Sequence, residues 1–196
     1  MNTATDAGTG AQPPTLRLRA WKAADFDEVR RSFADDSMRG QFHARDTLEA
    51  STAAWLEGAS KRYSRAGTFF HCVTGPDGRA LANIACAPID EHDCGWVSYW
   101  TVPWARGKGV ASRALSFLVP WWHDEAGVAR LELGHRANNP ASGAVALRAG
   151  FREEGVQRGK LRYDGVRYDT VVYGRLSEDP RPGTDDRVAF VEEPLV

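Results

Sequence analysis

A short glycine-rich run in the middle of the chain, between a predicted strand and a predicted helix, has the composition of an anion-binding loop. It reads Arg106-Gly-Lys-Gly109-Val-Ala111-Ser112. The two glycines free the backbone to curl, and the small Ala111 lets a ligand approach closely. The unpaired N–H groups at the start of the following helix point to the same place, where the helix dipole favours an anion. The run therefore predicts a phosphate site, the plainer alternative being a glycine-softened helix entry with solvated basic groups.

The charge of the surrounding segment agrees with this interpretation. From Gly95 to His123 there is no acidic residue, whereas Arg106, Lys108 and Arg113 are basic. The whole chain of 196 residues carries 25 Lys and Arg against 26 Asp and Glu, a formal net charge of -1. A near-neutral chain has no overall attraction to polyanions. We therefore expect neither a nucleic acid nor a membrane as partner, and a cationic site that is only local.

Other phosphate and metal sites fit less well. The P-loop pattern GxxxxGK[ST] is absent, and a dinucleotide fold is disfavoured because Ser112 replaces the third glycine of its fingerprint. The three cysteines form no CxxC pair, and His92-Asp93-Cys94 lacks a second half at zinc spacing. No metal site is predicted.

The elements that would position the loop lie in one predicted domain, residues 15–176, where strands and helices alternate. Residues 1–14 are predicted to be a flexible leader, and residues 177–196 an acidic, proline-containing tail whose apolar group at 188–191 could dock on a surface or a neighbouring subunit. Asp25 and Asp46 are predicted to cap two early helices, and Pro120 to kink or shorten the helix after the loop. Strands are predicted at 16–20, 68–74, 80–88, 96–102 and 130–136, a further helix at 140–149 and a hairpin at 161–172. The pattern indicates an α/β (α+β) sheet with helices on its faces.

The order of motifs resembles the GCN5-related N-acetyltransferase (GNAT) family, and most closely its ribosomal-protein N-terminal acetyltransferase-like (RimJ/RimL-type) branch. The loop fits the family pattern [QR]-x-x-G-x-[GA], and the resemblance extends from about residue 16 to residue 176. The surrounding matches are Tyr99-Trp100 with Pro103, Leu131-Glu132-Leu133, Asn139-Pro-Ala-Ser142, Gly150-Phe151, and Asp164-Gly165 followed by Asp169.

This resemblance implies the GNAT fold, a mostly antiparallel mixed sheet splayed at the acetyl-CoA site and flanked by helices. It implies acetyl-CoA as cosubstrate, with its pyrophosphate on the backbone of Arg106, Gly107, Lys108, Gly109, Val110, Ala111 and Ser112. The pantetheine arm would follow Trp100, Thr101 and Val102, and Asn139 and Ser142 would add contacts.

The implied chemistry is direct attack of a neutral amine on the thioester. Glu132 stands where several relatives have a catalytic carboxylate, although it could instead pair with Arg130 or Arg136; His135 and His71 are second candidates for the base. Many relatives protonate the leaving thiolate with a Tyr at the position that is Ala146 here, so Ser142 is the candidate acid.

The resemblance places the acceptor between residues 33–43 and 158–168. Asp35 and Asp36 could attract a cationic amine, whereas the basic residues of the second stretch, Arg158, Lys160, Arg162 and Arg167, suggest an anionic part. The predicted function is acetyl transfer to a primary amine of a small molecule or of a peptide or protein N-terminus. The alternative is a non-catalytic acyl-CoA-binding module for sensing or interaction. A cytoplasmic location is the default, and a homodimer is possible.

Overall fold

The computed structural model describes residues 15–38, 47–61, 67–183 and 186–191. The predicted leader, the predicted cap Asp46 and residues 39–43 of the acceptor stretch lie outside these ranges. The elements in chain order are β1 Leu16–Arg19, α1 Phe26–Ala34, α2 Leu48–Ser60, β2 Phe69–Thr74, β3 Ala80–Ile89, β4 Cys94–Thr101, α3 Val110–Asp124, β5 Arg130–Arg136, α4 Pro140–Arg148, β6 Arg152–Tyr163, β7 Val166–Leu176 and β8 Val188–Phe190. Among the described residues no helix is both long and apolar enough to cross a membrane.

The eight described strands form one sheet in the order β6-β7-β5-β4-β3-β2-β1-β8. Neighbouring strands are antiparallel except for β4 with β5 and β1 with β8, which are parallel. The prediction of a mostly antiparallel mixed sheet flanked by helices is therefore confirmed.

The parallel strands β4 and β5 separate soon after they begin. They are in register only at Cys94 with Arg130, Gly95 with Leu131 and Trp96 with Glu132. Beyond this point β4 continues to pair with β3, and β5 with β7. The two halves of the sheet splay apart here, as predicted, and leave a gap at the end of β4.

Successive side chains of a strand point to opposite faces of the sheet, so the residues beside this gap fall into two groups, one on each face. Trp100 points to the face covered by α1 and α2, because its ring packs against those of Phe33 and Trp55. Tyr99 points to the opposite face, where its hydroxyl bonds to Ser142 of α4. We call these the α1/α2 face and the α3/α4 face. By strand alternation and register, Trp96, Ser98, Glu132, Gly134 and Arg136 share the α1/α2 face with Trp100, while His135 shares the α3/α4 face with Tyr99.

Helix α3 carries the predicted apolar face into the core. Leu115, Leu118, Val119 and Trp122 are all completely buried. The helix continues through Pro120 to Asp124. Of the two predicted effects of the proline, a kink or a shorter helix, the second is therefore wrong. A proline inside a helix costs about 3 kcal/mol. Burial of one large apolar side chain contributes about 1.5–3 kcal/mol, and several on this face offset that cost.

The two early helices begin differently from the predictions. The Asp25 carboxylate accepts a hydrogen bond from the Lys22 N–H at 2.9 Å and pairs with Arg19 at 2.7 Å, and it makes no cap bond to α1. The cap of α2 is Thr47, whose hydroxyl oxygen accepts a hydrogen bond from the Ala50 N–H at 3.1 Å.

The apolar part of the predicted tail forms β8 at the edge of the chain's own sheet. The Leu16 N–H donates to the Arg187 carbonyl and the Val191 N–H to the Leu18 carbonyl, both at 2.8 Å. Phe190 packs edge-on against Phe117 and Trp121 of α3. The sequence predicts that this segment could dock on a surface, and the structure shows it docked on β1 of the same chain.

Candidate active site

A cleft of about 690 Å³ opens where β4 and β5 separate. It is bounded by the ends of these strands, the glycine-rich loop, the first turns of α3 and α4, and the β6–β7 hairpin. The predicted site residues that line it are Trp100, Thr101, Arg106, Gly107, Gly109, Val110, Ala111, Ser112, Asn139 and Ser142, whereas Val102, Lys108 and Glu132 are not among its lining residues.

The glycine-rich loop has the backbone that its sequence predicts. Gly107 and Gly109 have φ angles of +73° and +75°, in the left-handed region that favours glycine. A Cβ on Gly107 would meet no atom of the described residues within 4 Å, so they leave the space above the loop open. The first helical bond of α3 runs from the Arg113 N–H to the Gly109 carbonyl at 3.0 Å. The preceding N–H groups of the first turn have no acceptor within the helix and can bind an anion.

Arg106 connects this loop to the end of α1. One guanidinium nitrogen lies 3.0 Å from a carboxylate oxygen of Asp35, and its Nε donates to the Thr101 carbonyl at 3.1 Å. Hydrogen bonds from Ser37 and from Arg106 lower the pKa of Asp35. The side chain of Arg106 is thus occupied at the mouth of the cleft, and any contact with a phosphate would fall to its backbone.

Ser142 and Tyr99 form a hydrogen-bonded pair across the cleft from the loop. The Tyr99 hydroxyl donates to the Ser142 carbonyl at 2.8 Å and accepts from the Ser142 hydroxyl at 3.1 Å. Burial raises the pKa of Tyr99 to about 12, so its phenol stays protonated at neutral pH. Asn139 caps α4 by accepting the Ser142 N–H, with its side-chain oxygen at 3.4 Å. The cap fixes Ser142 at the start of the helix, beside the end of β4.

His135 lies next to this pair but is already occupied. Its Nδ1 is 2.8 Å from the Arg136 carbonyl and therefore carries the proton, which leaves Nε2 to accept from the Tyr173 hydroxyl at 3.3 Å. The two rings stack with centroids 5.4 Å apart. The other candidate histidine, His71, is completely buried on β2 and is not a lining residue of the cleft. Burial lowers its pKa to about 3, so that it is neutral.

Glu132 is held outside the cleft by an ion pair. Its Oε1 accepts from the Arg130 Nε at 2.7 Å, and the same guanidinium bonds to Glu154 at 2.5 Å. The structure shows the ion pair with a basic neighbour, which is one of the two roles that the sequence leaves open; the role of a base stays a prediction.

The α1/α2 face of the cleft is aromatic and cationic. Trp100 is only 9% exposed, and its indole N–H has no hydrogen-bond partner among the described residues. At the far end, the Arg136 guanidinium lies over the rings of Tyr163 and Tyr168. The charged residues that line the cleft are Arg106, Arg136 and Arg148, and no acidic residue is among the described lining residues.

Two of these residues were missed as functional candidates in their own right. Tyr99 enters the sequence analysis only through the Tyr-Trp motif, and Arg136 only as a neighbour of Glu132. The signal for Arg136 is strand alternation, which places it on the same face as Trp96. The link between Tyr99 and Ser142 spans 43 residues and has no local sequence signal.

No three or more His, Cys, Asp or Glu side chains gather into a possible metal site in the described part of the chain. The cleft is instead suited to an elongated organic ligand with an anionic group. It offers backbone N–H donors at one end, hydroxyls beside the end of β4 and an aromatic surface on the other face.

The relatives that this chain matches in sequence include proteins named as N-acetyltransferases. YoaA of Bacillus subtilis (strain 168), named as an uncharacterized N-acetyltransferase, is 27% identical over 148 residues, which cover 75% of this chain and 80% of YoaA. "Putative ribosomal N-acetyltransferase YdaF" of the same organism is 31% identical over 104 residues. That match covers 53% of this chain and spans just over half, 57%, of the length of YdaF.

Solved structures share the fold at lower identity. RimJ of Mycobacterium smegmatis, in complex with CoA-disulfide, superposes with a TM-score of 0.70 at 22% identity, covering 84% of this chain and 86% of RimJ. RimL, a ribosomal-protein acetyltransferase in complex with coenzyme A, superposes with a TM-score of 0.72 at 20% identity, covering 84% of this chain and 96% of RimL.

The family itself is assigned from the sequence. The sequence model described as "Acetyltransferase (GNAT) domain" matches residues 15–152, which is most of the chain. The resemblance stated above is confirmed, and so is the splayed sheet that it implies. This chain belongs to the GNAT acetyltransferase family.

Proposed function

We propose that this chain is an acetyl-CoA-dependent N-acetyltransferase that acts on a primary α-amine. The observation that carries the proposal is the cleft between β4 and β5. It brings the anion-binding start of α3 and the Ser142–Tyr99 pair into one continuous space that is open to both faces of the sheet. The family and the CoA-bound structural neighbours support the same choice of cosubstrate.

The residues present fit coenzyme A. The backbone N–H groups of residues 107–112 would hold its pyrophosphate, because they precede the first helical bond of α3 and face open space at Gly107. The pantetheine arm would extend between the ends of β4 and β5, past Thr101 and Asn139. Acetyl-CoA supplies a thioester, whose acetyl group passes to a neutral amine as the thiol leaves.

The cleft favours the neutral form of the acceptor through its own charges. On the α1/α2 face a bound ammonium would meet the cation Arg136 and would be buried beside Trp100, and both like charge and burial lower the pKa of an amine. An α-amine starts at a pKa of about 8 and needs little lowering, whereas a lysine amine starts at about 10.4. We therefore propose that the amine loses its proton to water and that Glu132 is not the base.

The leaving thiolate would meet Ser142. Its hydroxyl can turn from the Tyr99 oxygen to the sulfur, because Tyr99 keeps its own proton and its bond to the Ser142 carbonyl. A thiolate with a pKa of about 8.5 needs only a hydrogen-bond donor near neutral pH. Ser142 is thus the proposed catalytic residue, and Tyr99 is a positioning residue that holds it.

Acetyl transfer to short peptides with free N-termini tests the proposal. Release of the CoA thiol is followed with a thiol-trapping reagent, and the product by mass spectrometry as a gain of about 42 Da. We expect both signals with wild-type protein and a strong loss in Ser142→Ala. Tight CoA binding without acetylation of any peptide or small amine would instead support the non-catalytic acyl-CoA-binding module.

The remaining predictions belong to the same proposal. A ribosomal-protein N-terminus is a candidate acceptor, because RimL is named as a ribosomal L7/L12 acetyltransferase and YdaF as a putative ribosomal N-acetyltransferase. A cytoplasmic location and a homodimer stay predictions, which fractionation of cell extracts and analytical ultracentrifugation test.

A further inference from the structure

Arg136, the last residue of β5, is held by the β6–β7 hairpin. Its guanidinium carbon lies 5.0 Å from the ring centroid of Tyr163 and 5.6 Å from that of Tyr168. The two tyrosine rings are 6.1 Å apart. A guanidinium stacked on aromatic rings is fixed in position, while its N–H groups remain available in the plane of the group.

Arg136, unlike Arg106 and Arg130, has no acidic partner among the described residues. Arg106 is paired with Asp35, and Arg130 on the same strand is paired with two glutamates. Within the described ranges no carboxylate lies within 4.0 Å of the Arg136 guanidinium, although the side chain is only partly exposed. A partly buried, positioned and unpaired arginine is suited to bind a carboxylate or phosphate with two N–H groups.

The position of Arg136 separates it from the proposed cofactor contacts. By strand alternation it lies on the α1/α2 face with Trp96 and Gly134, whereas Ser142 lies on the opposite face. Arg148, the other lining arginine without an acidic partner among the described residues, is on α4 and so belongs to that opposite face. On the side from which an acceptor would enter, Arg136 is therefore the unpaired cation among the described residues that line the cleft.

We propose that Arg136 binds an anionic group of the acceptor, so that the preferred substrates are α-amines with a carboxylate or phosphate close by, acidic peptides first among them. This inference rests on the proposed acetyl transfer and adds its substrate class. Polyamines and other purely cationic amines would be poor acceptors, because the described lining of the cleft contains no acidic residue to receive them.

The test uses four pentapeptides with free N-termini that differ at the second residue, which is Glu, Gln, Lys or phosphoserine. Each is assayed for kcat and KM with wild-type protein and with Arg136→Gln and Arg136→Lys. Arg17→Gln is the matched control, because it removes the same charge from an exposed residue of β1 that does not line the cleft. Thermal unfolding of each variant shows that it is folded. A second series of peptides, with the variable residue third rather than second, tests a longer distance between the amine and the anionic group.

For the wild type we expect kcat/KM for the Glu peptide to exceed that for the Gln peptide by about 10- to 100-fold, as for a charge-assisted bidentate contact. The Lys peptide should be the poorest. Arg136→Gln should reduce the ratio of kcat/KM for the Glu peptide to that for the Gln peptide to about one, mainly through the KM of the Glu peptide. Arg136→Lys should retain part of this ratio, and Arg17→Gln should retain all of it. The phosphoserine peptide shows which anion is bound better.

Two outcomes separate the inference from the function on which it rests. Acetylation of all peptides at similar rates, or a preference that survives in Arg136→Gln, would overturn the role of Arg136 and leave acetyl transfer intact. If no peptide is acetylated, the proposed function fails. Titration of the Glu and Gln peptides into the CoA-bound protein by calorimetry then decides the inference by itself, because equal binding contradicts it.

Discussion

Gly143 lies at the contact between α4 and the sheet, and its replacement by alanine tests whether this contact positions Ser142. An added Cβ would stand 2.8 Å from the His135 Nε2 and 3.0 Å from the Tyr173 hydroxyl. Both rings are buried, stacked on each other and hydrogen-bonded, so they cannot move aside cheaply. Ordinary contact begins at about 3.4 Å, so the first turn of α4 must move away by about 0.6 Å.

That displacement is large enough to disturb the proposed catalytic pair. Moved by the same amount, the Ser142 hydroxyl would go from 3.1 Å to about 3.7 Å from the Tyr99 oxygen, beyond hydrogen-bond distance. Overpacking costs about 1–3 kcal/mol. Alanine returns about 1 kcal/mol through its helix propensity, so Gly143→Ala should lower the free energy of unfolding by about 0–2 kcal/mol. We expect kcat to fall about tenfold.

Gly58 provides the matched control. It also lies inside a helix, α2, and a Cβ there would meet no atom of the described part of the chain within 4 Å. Gly58→Ala should therefore raise the free energy of unfolding by about 1 kcal/mol and leave kcat unchanged. At about 2–4 °C per kcal/mol for a chain of this size, the two variants should differ in Tm by about 2–12 °C. Thermal melts and thiol-release assays measure both quantities, and equal Tm and kcat for the two variants would refute the reasoning.

Four further outcomes follow from the site. Ser142→Ala should lower kcat about 10- to 100-fold, as expected when a hydrogen bond to a charged group is lost, and Tyr99→Phe should lower kcat less. Equal losses of kcat in steady-state kinetics would make Tyr99 more than a positioning residue. Glu132→Gln should change kcat less than about twofold and stability by at most about 1 kcal/mol, because its ion pair is partly exposed; loss of the ascending limb of the kcat–pH profile would restore it as base. In the kcat–pH profile, kcat should rise with an apparent pKa below about 8. It should not fall again below pH 10, because burial keeps Tyr99 protonated to about pH 12. A fall in kcat between pH 8 and 10 would require a different acid. Asp35→Asn should raise the KM for acetyl-CoA less than about fivefold and leave kcat unchanged, because the ion pair between Asp35 and Arg106 is partly exposed, and an unchanged KM would show that Arg106 does not need this pair. Because the pKa of Asp35 is lowered, the ion pair is present at every pH above the usual pKa of an aspartate and is lost only in more acidic solution.

Local signals predicted the parts of the site that depend on neighbouring residues. The glycine spacing of the loop and the apolar face of α3 lie within 17 residues of sequence, and both have the predicted backbone. The hairpin at Asp164-Gly165 likewise follows from its turn residues. In each case the physical cause is a φ angle or a helical repeat that a few residues determine.

Contacts between distant segments were not accessible in this way. Arg130 pairs with Glu132, two residues away, and with Glu154, twenty-four residues away, and only the first partner was anticipated. The pairing of β8 with β1 depends on an edge of the sheet that does not exist until β1 and β2 are folded. At Pro120 a local signal gave a wrong prediction, because the burial that keeps α3 helical comes from elements elsewhere in the chain.

The short final strand β8 has a consequence for solubility. An edge strand exposes a row of unpaired N–H and C=O groups on which another chain can add, and natural sheets often end in very short strands that leave little to extend. β8 is three residues long and covers β1, whose Leu16 and Leu18 are completely buried. A chain that lacks residues 186–191 would keep the cleft but present β1 as a new edge. Such a chain should self-associate at concentrations where the whole protein does not.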